Sequence, residues 1–398
     1  MELEKSKPLS ILVFIPLSLL IFFRPFFSGL AYPVLERYFE SLIIFFAITT
    51  FAIEAKKRFS LFPKTFEYFP ALAILAAYLI ATAHSINTQN SIAETAKFMS
   101  FASMFFMVSL MDSAQKKIII RGIIAAALLI SAYSIYQYLW GYQHTIDFLK
   151  KTNSDILLSS SYARDILIEK RVIGTFPSPN ILAGYLIMTV FLCMQSSGPA
   201  RVPARTLLSL IIIIFALLLT KSLGAWLSLI SALIVLVMLS YNSIKKHKAL
   251  LVLSILAIAA AIGFIVTIRW ERLIHLDNPQ NSITQRLNYW RTAIAVIKDH
   301  PLLGVGPGNF QEVFLKYKIG LSTNTRYAHN IFLHTWSEAG IMGFIAILSL
   351  IIAFLTKYKS KNKYLFLAGL AFLFHNLIDN TYFIPEVGLF WWVLMALI

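Results

Sequence analysis

The sequence predicts an all-α polytopic membrane protein with about 12 transmembrane helices and a large external loop between helices 9 and 10. Three observations carry this. Hydrophobic residues fill 58% of the 398 positions and charged residues only 14%, with a mean hydropathy of +0.72; soluble domains run near half and a quarter. Apolar runs of about the 20 residues needed to cross a bilayer recur along the chain. Those runs lack the alternating texture of barrel strands, so they read as helices.

In chain order the spans fall at about 8–24, 38–54, 68–84, 92–111, 118–139, 179–195, 205–221, 224–241, 249–268, 337–356, 364–379 and 383–398. The first follows a short segment holding both acids and lysines, and no A-x-A site comes after it, so it reads as an uncleaved signal anchor. Cys193, the single cysteine, lies inside an apolar run. An intrachain disulfide, a cysteine-based metal site and redox chemistry are thereby excluded. No repeat recurs at a fixed period, and residues 1–398 read as one membrane domain with external loops at about 140–178 and 269–336.

Basic residues set the orientation. Of 35 Lys and Arg, 18 fall at the N-terminus and in every second connection, and four (Arg24, Arg37, Lys97, Lys221) on the opposite side. Basic residues mark the cytoplasmic side in short loops, so both termini are expected in the cytoplasm. The remaining 13 lie in the two long external loops, where the rule does not apply. The formal net charge of +16 therefore separates into an orientation signal and an external fraction, and neither calls for nucleic acid.

In the first loop, Glu169-Lys170-Arg171-Val-Ile-Gly174-Thr175-Phe-Pro177-Ser-Pro179-Asn180 leads into span six. Its turn formers predict an ordered strap at the membrane surface, with Asn180 near a helix start. On the residues alone this is a rigid loop whose basic side chains meet lipid headgroups. In the second loop, Ser282-x-x-Gln285 predicts a capping box, followed by an amphipathic helix with an apolar seam of Leu287, Trp290, Ile294 and Ile297 that ends at Pro301. Arg286 and Arg291 flank that seam, and guanidinium groups suit phosphate oxygens. Arginines on such a helix are also commonly solvated or turned to lipid.

Gly304-Val-Gly306-Pro-Gly308 precedes Asn309-x-x-Glu312, a second capping box opening a helix through about Lys318. The glycine turn lacks a P-loop ending and reads as a structural turn, with anion binding the alternative. The third feature runs from Tyr327 through His329, Asn330 and His334 to Glu338 and Gly340. A helix continued outward from span ten puts His329 about 12 Å above the outer boundary. His329 and His334 are about 140° apart on a helix and do not form a chelating pair, so no metal site is expected, and His334 with Glu338 reads as a polar pair inside the bundle. A lone interfacial histidine with satisfied hydrogen bonds is the plain alternative for His329.

Together, in this order, the segments "RVIGTFPSPNILAGYL", "RLNYWRTAIAVIKDHPLLGVGPGNF" and "HNIFLHTWSEAGIMG" resemble the O-antigen ligase and polymerase superfamily of bacterial membrane glycosyltransferases. The resemblance covers most of the chain. It implies a GT-C-like, metal-independent enzyme without a cofactor, set among membrane lipids of the bacterial inner membrane with its active site facing the periplasm. The donor it implies is a glycan linked to undecaprenyl pyrophosphate. The acceptor is the lipid A core in a ligase and another carrier-linked repeat in a polymerase. By this resemblance His329 matches the catalytic histidine and Arg286 a large-loop arginine engaging the donor pyrophosphate. Arg291 is a second choice, and Arg171 lies in the family-like strap. One departure stands out: where the family often carries arginine in an "SRGAW"-like segment, this chain reads Lys221-Ser222-Leu223-Gly224-Ala225-Trp226. Leu223 carries no charge, which leaves Lys221 or Arg171 to supply it.

Neither external loop holds a D-x-D pair to carry a divalent ion, so fixed cations are expected to stabilise the departing diphosphate. Histidine is the side chain suited to take up the acceptor's hydroxyl proton near neutral pH. The expected reaction is direct, inverting displacement at the anomeric carbon, with the ligase reading preferred. A polytopic transporter is the alternative of a different class. Its best feature is the His375, Asn376 and Asp379 group, although transporters generally keep such groups near the midplane.

Overall fold

The computed structural model describes residues 9–58, 65–152, 160–195, 203–244, 274–279, 281–359 and 362–398, with a few isolated positions between; residue 153 lies outside the description, while 154 is included. Every regular element among them is helical. Numbered in chain order and omitting turns of five residues or fewer, they are α1 (Ile11–Phe23), α2 (Pro33–Arg58), α3 (Thr65–Ala83), α4 (Thr88–Ser109), α5 (Ser113–Tyr136), α6 (Tyr142–Lys151), α7 (Pro179–Gln195), α8 (Ala204–Thr220), α9 (Leu223–Ile244), α10 (Ser282–Asp299), α11 (Phe310–Tyr317), α12 (Ile331–Thr356), α13 (Lys363–Asn376) and α14 (Pro385–Leu397). Each expected span coincides with a helix except the ninth, at about 249–268, which lies outside the described residues but for isolated positions.

Among the described residues three helical stretches are long and apolar enough to cross a membrane: Ser113–Lys151, Leu223–Tyr241 and Ile331–Thr356. Shorter apolar helices accompany them at Ile11–Phe26, Tyr68–Ala83, Pro179–Gln195, Ala204–Thr220 and Pro385–Leu397. The packing is that of a bundle built for an apolar solvent. From Ile181 to Cys193 every side chain of α7 is buried, and so is all of α14; a helix apolar all round belongs in a bundle interior. α1 instead turns Leu12, Ile15 and Leu19 outward, and α2 does the same with Phe45, Ile48 and Phe51. Apolar faces this continuous need a lipid covering. The protein is a multi-pass membrane protein.

α7 sits centrally, packed against α8, α9 and α13, while α12 lies along α3 and α14 along α4. This arrangement brings the 171–180 strap, the α8–α9 corner, the N-terminus of α12 and the α13–α14 connection to one end of the bundle. Three local expectations are corrected there. The N-cap of α10 is Asn281, whose side chain accepts from Ile283 N at 2.9 Å, one residue before the expected Ser282. Asn309 precedes α11 but gives it no side-chain cap. Glu338 of α12 accepts from Gly308 N at 2.8 Å and Phe310 N at 3.0 Å instead, because a buried carboxylate must find donors. α12 is not continuous either: it starts at Ile331 and breaks at Gly340, which stands at φ 63° and ψ −164°. The break lets the 301–306 turn lie against α12, with Val305 N donating to Ser337 O and Gly306 N to Glu338 O.

The amphipathic helix α10 also faces the other way from expectation. Its buried side is Gln285, Asn288, Tyr289, Thr292, Ala293 and Val296, while Leu287 and Ile294 are exposed. In a loop beside a membrane, polar side chains can bond inward and the apolar stripe can be the outer one. Lys97 likewise sits inside α4 rather than on a connection, buried against Glu94 and donating to Phe383 O at 2.7 Å.

Candidate active site

The loop bearing His329 is held by its neighbours. Asn330 caps α12 by accepting from Phe332 N and Leu333 N, and its amide donates to Leu377 O at 2.9 Å. Trp290 Nε1 donates to His329 O at 3.2 Å, and the imidazole stacks on the Tyr289 ring at 5.4 Å between centroids. Tyr289 is fixed in turn through its hydroxyl, which donates to Gln285 Oε1 at 2.6 Å. His329 stands at φ 53°, a left-handed conformation that a side chain other than glycine's adopts only where its surroundings impose it. Such strain concentrates at functional positions.

Arg286, one turn before Trp290 on α10, reaches across to the α13–α14 connection, where Nη2 donates to Asp379 Oδ2 at 2.8 Å. His329 Nδ1 lies 3.6 Å from the other oxygen of the same carboxylate. Asp379 belongs to the His375, Asn376 and Asp379 group that is the chain's most transporter-like sequence feature. Its side chain is 1% exposed, against 19% for Arg286 and 21% for His329, so the acid is sealed beneath a cation and an imidazole that solvent can reach. Burial alone would raise the pKa of this carboxyl. His329 and the Arg286 guanidinium outweigh that effect and hold Asp379 well below the usual carboxylate range.

Arg171 and Lys221 form a second group. Arg171 is buried, and its guanidinium is largely occupied: Nη1 donates to both oxygens of Asp165 at 2.9 and 2.7 Å, Nε to Thr220 O at 3.1 Å, and Nη2 to Asn180 Oδ1 at 3.2 Å. Lys221 stands at φ 51° where α8 ends, and its ammonium donates to Glu169 O at 2.6 Å. The two cations thus stitch the strap to the α8–α9 corner. The strap is held from behind by Gln137, which donates to Gly174 O and accepts from Gly174 N, each at 2.9 Å. Arg291 joins neither group. It is exposed and about 140° further round α10 than Arg286.

His334 and Glu338 form the expected pair inside the bundle, 3.5 Å apart. The glycine turn offers no free anion cradle at Gly308 and Phe310, since Glu338 occupies both N–H groups.

The class defined so far is a multi-pass membrane protein whose described elements are all helical, with a partly open histidine and arginine over a sealed aspartate. Residues 208–348 match the model of a family described as O-antigen ligase, about a third of the chain, in line with the resemblance to the O-antigen ligase and polymerase superfamily. The matched stretch contains Arg286, Arg291 and His329; Arg171 lies before it and Asp379 after it. An uncharacterized protein of Haemophilus influenzae is 30% identical over 81 residues, which is 19% of this chain and 20% of that protein. The chain thus aligns with about a fifth of the length of this curated relative. No solved structure matches. The match supports a function of O-antigen ligase or polymerase type.

Proposed function

We propose that the protein is an O-antigen ligase, transferring glycan from an undecaprenyl pyrophosphate carrier to the lipid A core on the periplasmic face of the bacterial inner membrane. The observation that carries the reading is the convergence of Arg286 and His329 on the two oxygens of Asp379. With Nδ1 turned to a carboxylate that stays ionised, the tautomer carrying its proton on Nδ1 is favoured. Nε2 is then the base that takes the proton of the acceptor hydroxyl. The hydroxyl oxygen attacks the anomeric carbon from the face opposite the diphosphate, and the bond from that carbon to the diphosphate oxygen breaks. The configuration inverts, and the departing anion gains the charge that Arg286 stabilises. Lys221 and Arg171 secure the strap, with Arg171 serving chiefly as an anchor. Arg291 takes no part.

The test is purified protein with carrier-linked glycan and a lipid A core acceptor. His329→Ala is expected to lose roughly 10²- to 10⁴-fold in rate, the usual contribution of a general base, and wild-type transfer by that variant would overturn the assignment. Ligase is separated from polymerase by deleting the gene and running surface lipopolysaccharide on a gel. Loss of all long-chain bands with lipid-linked polymer accumulating means ligase, and capping with single repeats means polymerase.

A further inference from the structure

The two groups of the site are joined through one buried histidine. Asn180, at the start of α7, accepts from Arg171 Nη2 through its side chain, and its main-chain carbonyl lies 3.3 Å from His375 Nε2. His375, on the last turn of α13, is fully buried. A carbonyl can only accept, so Nε2 carries the proton. Nδ1 is buried against the Gly224 backbone, without a hydrogen bond of ordinary geometry. The ring fills a slot walled by two glycines: a methyl group at Gly184 of α7 would stand 3.0 Å from Cδ2, and one at Gly224 of α9 would stand 3.4 Å from Nδ1. One turn further on comes Asp379, carried on the hydrogen-bonded turn in which Ile378 N donates to His375 O at 3.2 Å.

A ring with a poorly partnered buried nitrogen is a poor choice for packing alone. Such a group costs about 1–3 kcal/mol, and a phenylalanine would fill the slot without it. We propose that His375 is a positioning residue, holding Asp379, and through it Arg286 and His329, in register with the Arg171 strap. The proposal rests on the catalytic reading of Arg286 and His329 given above. It assigns a role to a group on α13 that the reaction itself does not use, and it explains how a strap between α6 and α7 can affect chemistry carried by the loop before α12.

The experiment compares His375→Phe and His375→Gln with wild type, measuring kcat, KM, the pH profile of kcat and thermal unfolding in detergent. The phenylalanine variant is expected to unfold no earlier than wild type, yet to lose roughly 10- to 100-fold in kcat, as a small misplacement of reacting groups does. Its pH profile should be displaced, because Asp379 is no longer fixed opposite His329. Glutamine retains a donor for the Asn180 carbonyl and should fall between the two. Wild-type kcat with an unchanged profile in His375→Phe overturns the proposal, and so does a glutamine variant as slow as the phenylalanine one. If the phenylalanine variant does not fold, glutamine decides alone. A several-fold fall in kcat with a displaced profile then supports the link, and wild-type values overturn it. His329→Ala measured alongside separates the two readings: full activity there removes the catalytic assignment, whereas loss there beside a wild-type His375→Phe removes only the link.

Discussion

Replacing Asp379 by asparagine changes one buried oxygen into an amide and leaves volume and shape almost untouched. Two contacts respond. Arg286 Nη2, now 2.8 Å from Oδ2, exchanges a charged acceptor for a neutral one. Hydrogen bonds to charged groups are worth about 1.5–3 kcal/mol net, which is roughly 10- to 150-fold at 1.36 kcal/mol per decade. His329 Nδ1, at 3.6 Å from Oδ1, loses the partner that favours a proton there. If the amide N–H₂ turns toward it, Nδ1 must accept, the proton moves to Nε2, and the base is blocked where the acceptor hydroxyl must approach. General base catalysis contributes about 10²–10⁴, so the expected fall in kcat lies near 10²-fold or beyond.

KM for the donor should rise several-fold at most, because Arg286 keeps its charge and its partial exposure. The assay is glycan transfer by purified protein in nanodiscs, with product resolved by gel and initial rates taken across donor concentrations. Thermal unfolding of the same samples is measured beside it. An asparagine variant with wild-type kcat refutes the reasoning. So does a loss of activity that follows lost folded protein in proportion.

Stability should show the same carboxylate. Its folded pKa is depressed, so its contribution is fully present above the unfolded value of about 4 and is lost as the pH falls through the lower folded value. The gap in unfolding temperature between wild type and Asp379→Asn should hold steady from about pH 5 to 8 and close under strong acid; a gap that widens with acid would contradict the assignment. Glu338→Ala strands the buried N–H groups of Gly308 and Phe310 and should destabilise by about 1–3 kcal/mol for each, read as faster hydrogen exchange across 308–317; unchanged exchange would remove its capping role. Gly340→Ala would put a methyl group into the Leu302 carbonyl at φ +63° and should lower the unfolding temperature by several degrees, whereas an unchanged midpoint would show that the break in α12 is not needed. Arg291→Ala should keep transfer within about threefold of wild type, since surface substitutions away from a site cost little, and a hundredfold loss would return that arginine to the site. Protein treated with excess chelator should transfer glycan at its original rate; loss of rate restored by adding a divalent ion would end the metal-independent scheme.

The apolar helices were legible because a long apolar run keeps its composition and its helical backbone whatever the tertiary detail. The local turns around Gly174, Gly304, Gly306 and Gly308, all at positive φ, were legible for a similar reason: only a few residue types tolerate that backbone. Facing was less legible. Leu287 and Ile294 looked like an inward seam because that is how amphipathic helices pack in water; beside a membrane the inward face is the hydrogen-bonding one, with Gln285 accepting from Tyr289 and from Thr323. Least legible was Asp379. Arg286 lies 93 residues before it, and no spacing rule connects a loop helix to the end of a span. A signal was nonetheless present: an acid at the outer end of an apolar helix needs a cation, because burying it unpaired is too costly. Asking which external arginine meets that need leads from Asp379 to Arg286, and the same question asked of the buried nitrogens leads on to His375. In this fold the informative unit is therefore the helix end with an unmet charge, and pairing such ends in space is what assembles the site.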